Sequence, residues 1–355
     1  MARVRGSVLG LALLLAAFII WVFVAMLTAI AGSLENAHAS VNVVVYGSKA
    51  SRHKLPIVLI GSYSGGEVYL PGIGFSLPVG YSVSVGDAVV GRGTGSVNIV
   101  LGPTYAKASM RVPGELCYID DIVDAISELL REPVEATVTV WVDLLGYRFE
   151  KTFKTMLDLH NLIEKLRSEV ELGDAVFEAS YTSDIVSVEV TVYDMGIGEV
   201  EAGDEGLLIP LTAKLNTTLV YHTPLPGEPP KADLILGLGL VMVENGVEKP
   251  LAEPLNKVRI ELTNTTKTIS IKLLARYEQL AKHVLEALHD LAEKEWYNTT
   301  IVLKVRATIE VLDQSIIYQE PLPILDISIP AKYTKTLQLH VGKHTIPLNI
   351  TVEVR

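Results

Sequence analysis

From Val41 onward the chain alternates apolar and polar residues with a period of two, as in Val41-Asn42-Val43-Val44-Val45-Tyr46, Ser96-Val97-Asn98-Ile99-Val100-Leu101 and Val186-Ser187-Val188-Glu189-Val190-Thr191-Val192. Successive side chains of a strand point to opposite faces, so this rhythm in β-branched residues predicts strands half buried on a sheet. Glycine and proline clusters at Pro71-Gly72, Gly91-Arg92-Gly93-Thr94-Gly95 and between Pro224 and Pro230 interrupt the rhythm, and turns are expected there. The fold class that follows is mainly β.

Three segments switch to the helical period. Ile119, Ile122, Val123, Ile126, Leu129 and Leu130 recur at spacings of three and four, with Asp120, Asp121, Asp124 and Glu128 on the other side. Met156, Leu159, Leu162, Ile163, Leu166 and Val170 keep the same register. The longest segment carries Tyr277, Leu280, Val284, Leu288 and Leu291 and ends near Trp296.

The first and third helices sit in matching contexts, which predicts an internal duplication. Ile119, Ile122, Val123, Ile126 and Leu130 align without a gap on Tyr277, Leu280, Ala281, Val284 and Leu288. Upstream, Val97 to Leu101 corresponds to Val258 to Leu262; downstream, Val138, Val140 and Val142 correspond to Ile301, Leu303 and Val305. The changing offset implies small insertions in loops, where they are tolerated best. Each unit therefore reads as strands, one amphipathic helix, then strands.

Ahead of these units, Val8 to Ala31 are 24 residues without a charge. As a helix they would span roughly 36 Å, enough to cross the ~30 Å hydrocarbon layer with some tilt. Arg3 and Arg5 precede the span and Glu35 is the first charge after it, so the positive-inside bias places the amino terminus in the cytoplasm and the remainder outside. Ala37-His38-Ala39 resembles a cleavage site, which keeps secretion after cleavage as an alternative. The expected organisation is a cytoplasmic tail over 1–7, a membrane helix over 8–31, a first β-sandwich over 41–155, a connector helix over 156–173 and a second β-sandwich over 174–330. A strand pair around Gly342-Lys343 closes the chain over 331–355, with its sheet left open.

Composition removes several function classes. The net charge of −11, with basic residues scattered among a larger number of acids, opposes binding to nucleic acid, whose phosphates are held by clustered Lys and Arg. Cys117 is the single cysteine, so stability must come from packing and hydrogen bonds and no intrachain disulfide forms. Few glutamines, with abundant Ile, Val, Glu and Lys, fit a thermophilic, archaeal source.

No set of residues converges as an active site. Gly91 to Gly95 is glycine-rich but is followed by a strand pattern, where a phosphate-binding loop needs a helix, and a hairpin turn is expected instead. In Gly61-Ser62-Tyr63-Ser64-Gly65 a tyrosine holds the place that a nucleophilic serine would need. His340 and His344 flank a hairpin tip, and His283 and His289 lie six apart on a helix, on different faces. Glu199, Glu201, Asp204 and Glu205 form an acidic loop without the spacing of a known calcium loop, and adjacent Asp120 and Asp121 suit the first turn of a helix. Four Asn-x-Thr sequons stand out, at Asn216, Asn264, Asn298 and Asn349, all in the second half and all candidates for glycosylation.

The order of strands, one amphipathic helix and a closing strand pair resembles the group-two late embryogenesis abundant fold, also called the water-stress and hypersensitive-response (WHy) domain, an immunoglobulin-like sandwich. The resemblance rests in the first copy on Val83-Ser84-Val85-Gly86-Asp87-Ala88-Val89-Val90-Gly91, then Val97 to Met110, the helix from Tyr118 to Arg131, and Val134 to Phe153. In the second copy it rests on Leu238 to Gly246, Val258 to Ile271, the third helix, and Thr299 to Ser315. The Asn-Pro-Asn tripeptide of that family is absent. The resemblance implies a non-enzymatic accessory domain, tethered by one membrane helix and linked to stress tolerance or lipid handling, with no catalytic residues or cofactors. The expected function is thus a membrane-anchored exterior protein that presents two β-sandwiches to a protein partner. A lipid or other apolar ligand held between sheet and helix, and a subunit of a surface filament or secretion assembly, are the alternatives.

Overall fold

A computed structural model of the chain describes residues 37–65, 72–102, 105–117, 133–157, 170, 172, 176–222, 231–312, 314–341 and 344–355. The expected membrane span over Val8 to Ala31 and the helix from Ile119 to Leu130 lie outside the described residues. Among the described residues, no helix is long and apolar enough to cross a membrane.

The first strands are β1 (His38–Val45), β2 (Lys54–Gly65), β3 (Ile73–Val85), β4 (Ala88–Gly102), β5 (Tyr105–Cys117), β6 (Val134–Leu144) and β7 (Tyr147–Leu157). The second run comprises β8 (Phe177–Thr182), β9 (Val186–Ile197), β10 (Glu201–Ala202), β11 (Gly206–Tyr221), β12 (Asp233–Glu244), β13 (Val247–Pro254), β14 (Val258–Glu261) and β15 (Thr265–Arg276). The helix α1 (Tyr277–Glu293) follows, then β16 (Trp296–Val311), β17 (Gln314–Pro330), β18 (Lys332–Val341) and β19 (His344–Val354).

Two sheets result. One has nine strands in the order β18-β19-β1-β2-β5-β4-β3-β6-β7; the other has ten, in the order β17-β16-β12-β13-β15-β11-β9-β8, with β10 on β11 and β14 on β12. From β1 to β7 and from β9 to β17 the two orders coincide strand for strand, with β13 and β14 together in the place of β4. The registers agree with the expected duplication. Leu77 pairs with Val97 as Leu236 pairs with Val258, and Val79 pairs with Val142 as Leu238 pairs with Val305. The chain is mainly β, in sandwich-like sheets whose alternate residues meet in one core per unit.

In the first core, Val41, Val43, Leu59, Val83, Ile99, Val112, Ala136, Leu348 and Ile350 come from one face of their strands. In the second, Val188, Val190, Leu215, Leu234, Leu236, Ile271, Leu303, Val305 and Ile309 do the same. Burial of such a side chain contributes about 1.5–3 kcal/mol, so alternation alone sets which face turns inward.

Four readings change. Gly91 to Gly95 forms no turn but lies inside β4; the turn is Gly86-Asp87, with Gly86 at φ +56. The glycines make room for a ring instead. Tyr81, Gly93 and Gly114 are cross-strand neighbours on the inner face, and a Cβ on either glycine would run into the Tyr81 ring or hydroxyl. Met156 and Leu157, expected to begin a connector helix, finish β7, because their strand still has Glu135 and Val134 to pair with. The first strand begins at His38 rather than Val41, since Ser64 continues the ladder that far. Trp296 opens β16 rather than closing the helix, which ends at Glu293.

The closing strand pair finds its sheet here. β19 runs parallel to β1, with Val41 opposite Ile350 and Val43 opposite Val352, so the last hairpin extends the first sheet. The chain falls into two compact units that divide within α1: residues to Leu280 go with the second sheet, and Ala281 to Tyr297 go with the first. Leu280 packs on the second core, while Leu285 and Leu288 pack on the first. The Leu288 carbonyl approaches Gly47 so closely that a Cβ there would overlap it, and His289 Nε2 lies 3.2 Å from the Ala50 carbonyl oxygen.

Candidate functional site

Because inward positions are aliphatic, chemistry must be sought on the outer faces, in the turns and among buried polar atoms. On the outer face of the first sheet, register aligns Thr336, Asn349, Ser40, Ser62, Ser109, Asn98 and Ser76 across seven adjacent strands. The hydroxyls of Ser40 and Ser62 are 2.7 Å apart, and Thr336 donates to Asn349 Oδ1 at 2.8 Å. This row is uncharged, solvated and formed of short side chains.

The four sequon asparagines all project from exposed positions, and in each the side-chain oxygen is held. Thr266 donates to Asn216 at 3.4 Å, the Leu219 amide to Asn264 at 2.6 Å, Ser328 to Asn298 at 2.7 Å and Thr336 to Asn349 at 2.8 Å. Asn349 lies in the first sheet, Asn216 and Asn298 in strands of the second, and Asn264 just before β15. The sequons, all in the second half of the chain, are thus divided between the two sheets by the return of β19 to the first.

The other candidates do not converge. Among the described residues, no group of three His, Cys, Asp or Glu side chains is placed to hold a metal ion. The acidic loop is partly neutralised by β15: Arg276 lies 2.6 Å from Glu205, and Lys272 lies 3.6 Å from Glu201. His283 is buried, with Nδ1 at 3.8 Å from Glu286, while His289 reaches the Ala50 carbonyl oxygen, so the two histidines serve different neighbours. His340 and His344 stand on separate rungs, opposite Thr345 and Val341. Gly61 to Gly65 lies inside β2, where Tyr63 points into the core and Ser62 and Ser64 point out. Asp120 and Asp121 lie outside the described residues.

The Tyr63 and Tyr81 phenols and the Glu244 carboxylate are also buried. The Tyr63 and Tyr81 hydroxyls have no hydrogen-bond partner among the described residues, and burial pushes both phenols up from their ordinary range, with Glu115 adding to the effect at Tyr81. Glu244 is buried and bonded to Lys249 Nζ at 2.7 Å across the β12–β13 hairpin. A phenol that resists ionisation and a carboxylate already engaged are features of packing, not of proton transfer.

Alternation concealed one surface. The β6–β7 turn is Leu145-Gly146, both at positive φ (+52 and +83), and Leu145 is 91% exposed. Tyr147 and Phe149 are also exposed, as is Ile73 at the start of β3. An open groove of about 440 Å³ beside this tip is lined by Phe75, Leu77, Pro78, Leu144 and Leu145. The hairpin is braced on its outer face, where Arg148 stacks 4.3 Å from the Trp141 ring and bonds Asp143 at 3.0 Å. A leucine in place of the usual asparagine before glycine was the available sequence signal.

No family model matches the chain, and no curated protein matches it. Among solved structures it is similar to the BSP domain of a biofilm associated protein, at 10% identity over 84% of this chain and 69% of that one, with a TM-score of 0.22. The B domain of a biofilm associated protein is similar at 10% identity over 80% and 85% of the two chains, with a TM-score of 0.17. The partial N-terminal region of an enterococcal surface protein is similar at 9% identity over 81% and 94%, with a TM-score of 0.16. At these scores the likeness adds nothing to the strand pairing, which by itself makes the chain a mainly β protein with sandwich-like sheets.

Proposed function

We propose that the chain is a non-enzymatic component of the cell exterior, held by its N-terminal apolar segment and presenting two β-sandwich units to a protein partner. The observation that supports this reading best is the repetition of one strand order in both sheets, with aliphatic residues inward and short hydroxyl and amide side chains along the outer face. Such a plan supplies rigid, soluble display surface rather than a pocket for chemistry. The resemblance to the group-two late embryogenesis abundant domain points the same way, and the sequons suit a face exposed to glycosylation enzymes. Protease applied to intact cells should remove the units after Gly32, and the released fragments should lose mass on deglycosylation. Full protection in cells stripped of their wall would overturn the reading.

The filament alternative has less behind it at one edge. β17 borders the second sheet and carries Pro321 and Pro323, which cannot donate to an added strand.

A further inference from the structure

The apolar segment ends at Ala31 and β1 begins at His38, with six residues between them. A chain of that length reaches at most about 25 Å, so under the anchored reading the His38 end of the first sheet is held close to the bilayer. Register identifies what else lies at that end. His38 pairs with Ser64, Gly65 with Ala106, and Gly102 with Tyr105. Leu101 then pairs with Ile73, and beyond the pairing of Val79 with Val142 the next turn is Leu145-Gly146. The exposed hairpin tip and Ile73 therefore share the end of the sheet from which the anchor departs.

Among the described residues, the opposite end carries the turn Gly86-Asp87 and the exposed Ser51, Arg52, His53 and Lys54, with Val89 and Met156 exposed beside them. Also at that end, Leu288 and His289 of α1 meet Gly47 and Ala50. What distinguishes the anchor-side hairpin is a solvent-exposed leucine within its turn and a tyrosine flanking it. Leucine at the tip and tyrosine just behind it suit the boundary between acyl chains and headgroups, where a ring with one wet end is favoured. The Arg148 guanidinium, held between Trp141 and Asp143, sits one residue further back along β7.

We infer that the β6–β7 tip, Leu144 to Tyr147, rests in the interfacial layer of the bilayer that holds the N-terminal segment, and so fixes the orientation of the first sheet on the membrane. This contact rests on the anchored reading of the preceding subsection. It is apolar in origin, and raised salt should leave it in place.

The test uses the full chain in phosphatidylcholine vesicles, with Cys117→Ser as background and a nitroxide label at L145C or, as control, D87C. Carbonate washing reports the anchor, and collision with oxygen against a water-soluble nickel chelate reports depth. The expected result is a chain that stays in the pellet, with an oxygen-to-nickel ratio several-fold higher at position 145 than at 87. A chain that stays in the pellet while position 145 reads as aqueous, or is shielded from both reagents by protein, overturns the contact and leaves the anchor standing. A chain washed from the pellet removes the anchor and the contact together. Should the background substitution impair folding, hydroxyl-radical footprinting of the unsubstituted chain gives a second reading: Leu145 protected in vesicles relative to Val247, which is 59% exposed, supports the contact, and equal reactivity overturns it.

Discussion

Leu145 and Leu312 hold the same place in corresponding hairpins, each the first residue of its turn and each in the left-handed region at φ +52 and +50, yet Leu312 packs on the core of its unit while Leu145 stands in solvent. The backbone strain is common to both, and only one has burial to offset it. A left-handed leucine costs about 1–2 kcal/mol. Leu145→Asn should therefore stabilise the protein by about 0.5–1 kcal/mol, because Asn-Gly suits a type I′ turn. Leu312→Asn should destabilise it by about 1 kcal/mol through lost apolar contact. Urea midpoints of the two variants check the pair, and equal shifts would contradict the account.

Tyr81 lies against Gly93 and Gly114 with its hydroxyl unpartnered among the described residues. Tyr81→Phe should raise stability by up to about 1 kcal/mol, since a buried hydroxyl without a partner costs more than its absence. Gly93→Ala should lower it by about 1–3 kcal/mol through overpacking, and much of that loss should be recovered in the double variant with Tyr81→Leu. Denaturant melts of the unsubstituted protein, Gly93→Ala, Tyr81→Leu and the double variant close the cycle, with Tyr81→Phe melted beside them.

Burial raises the Tyr81 phenol in the folded state. The native protein then holds this proton more tightly than the unfolded chain, whose tyrosines titrate near pH ~10. Stability from this source is complete below that pH and falls as pH rises above it, towards the folded value. Tyr81→Phe should flatten the alkaline decline of thermal stability above pH ~10, and an unchanged slope would exclude Tyr81 as a contributor.

Glu244 and Lys249 form a bridge whose carboxylate is buried. Lys249→Met should cost about 1–3 kcal/mol, because the remaining charge loses its partner. Adding Glu244→Leu should restore most of that loss. Calorimetric melting of the single and double variants measures it.

Asn264 accepts from the Leu219 amide through its side-chain oxygen. Asn264→Asp keeps an acceptor in place but removes the nitrogen that a glycan needs, so it should preserve folding while abolishing any sugar at this site. Asn264→Leu should also destabilise the unit by about 1 kcal/mol. Intact-mass measurement and melting of the two variants separate the roles.

Much of this architecture was legible because burial follows from alternation. The runs at Val97 to Leu101 and Val258 to Leu262, aligned by pattern, occupy matching registers beside Leu77 and Leu236. The helix from Tyr277 was equally clear from its period. Gly91 to Gly95 misled, because glycine serves both turns and close approach, and only the position of the Tyr81 ring tells the two apart. The partner of β19 was unreadable because any strand with one apolar face can join any sheet edge; its pairing with β1 links residues some 300 positions apart in the chain. The Leu145 tip escaped notice because an exposed apolar residue within an alternating run looks like one more inward position.

The parallel seam between β1 and β19 also sets a timetable for biosynthesis. Residues 38–45 leave the ribosome early, but the neighbour that covers their outer edge, residues 344–354, emerges only after every strand of the second sheet. Throughout that interval the nascent first unit exposes an unpaired β1 edge, and the second unit can mature ahead of it. A factor that shields that edge would be most needed during the delay.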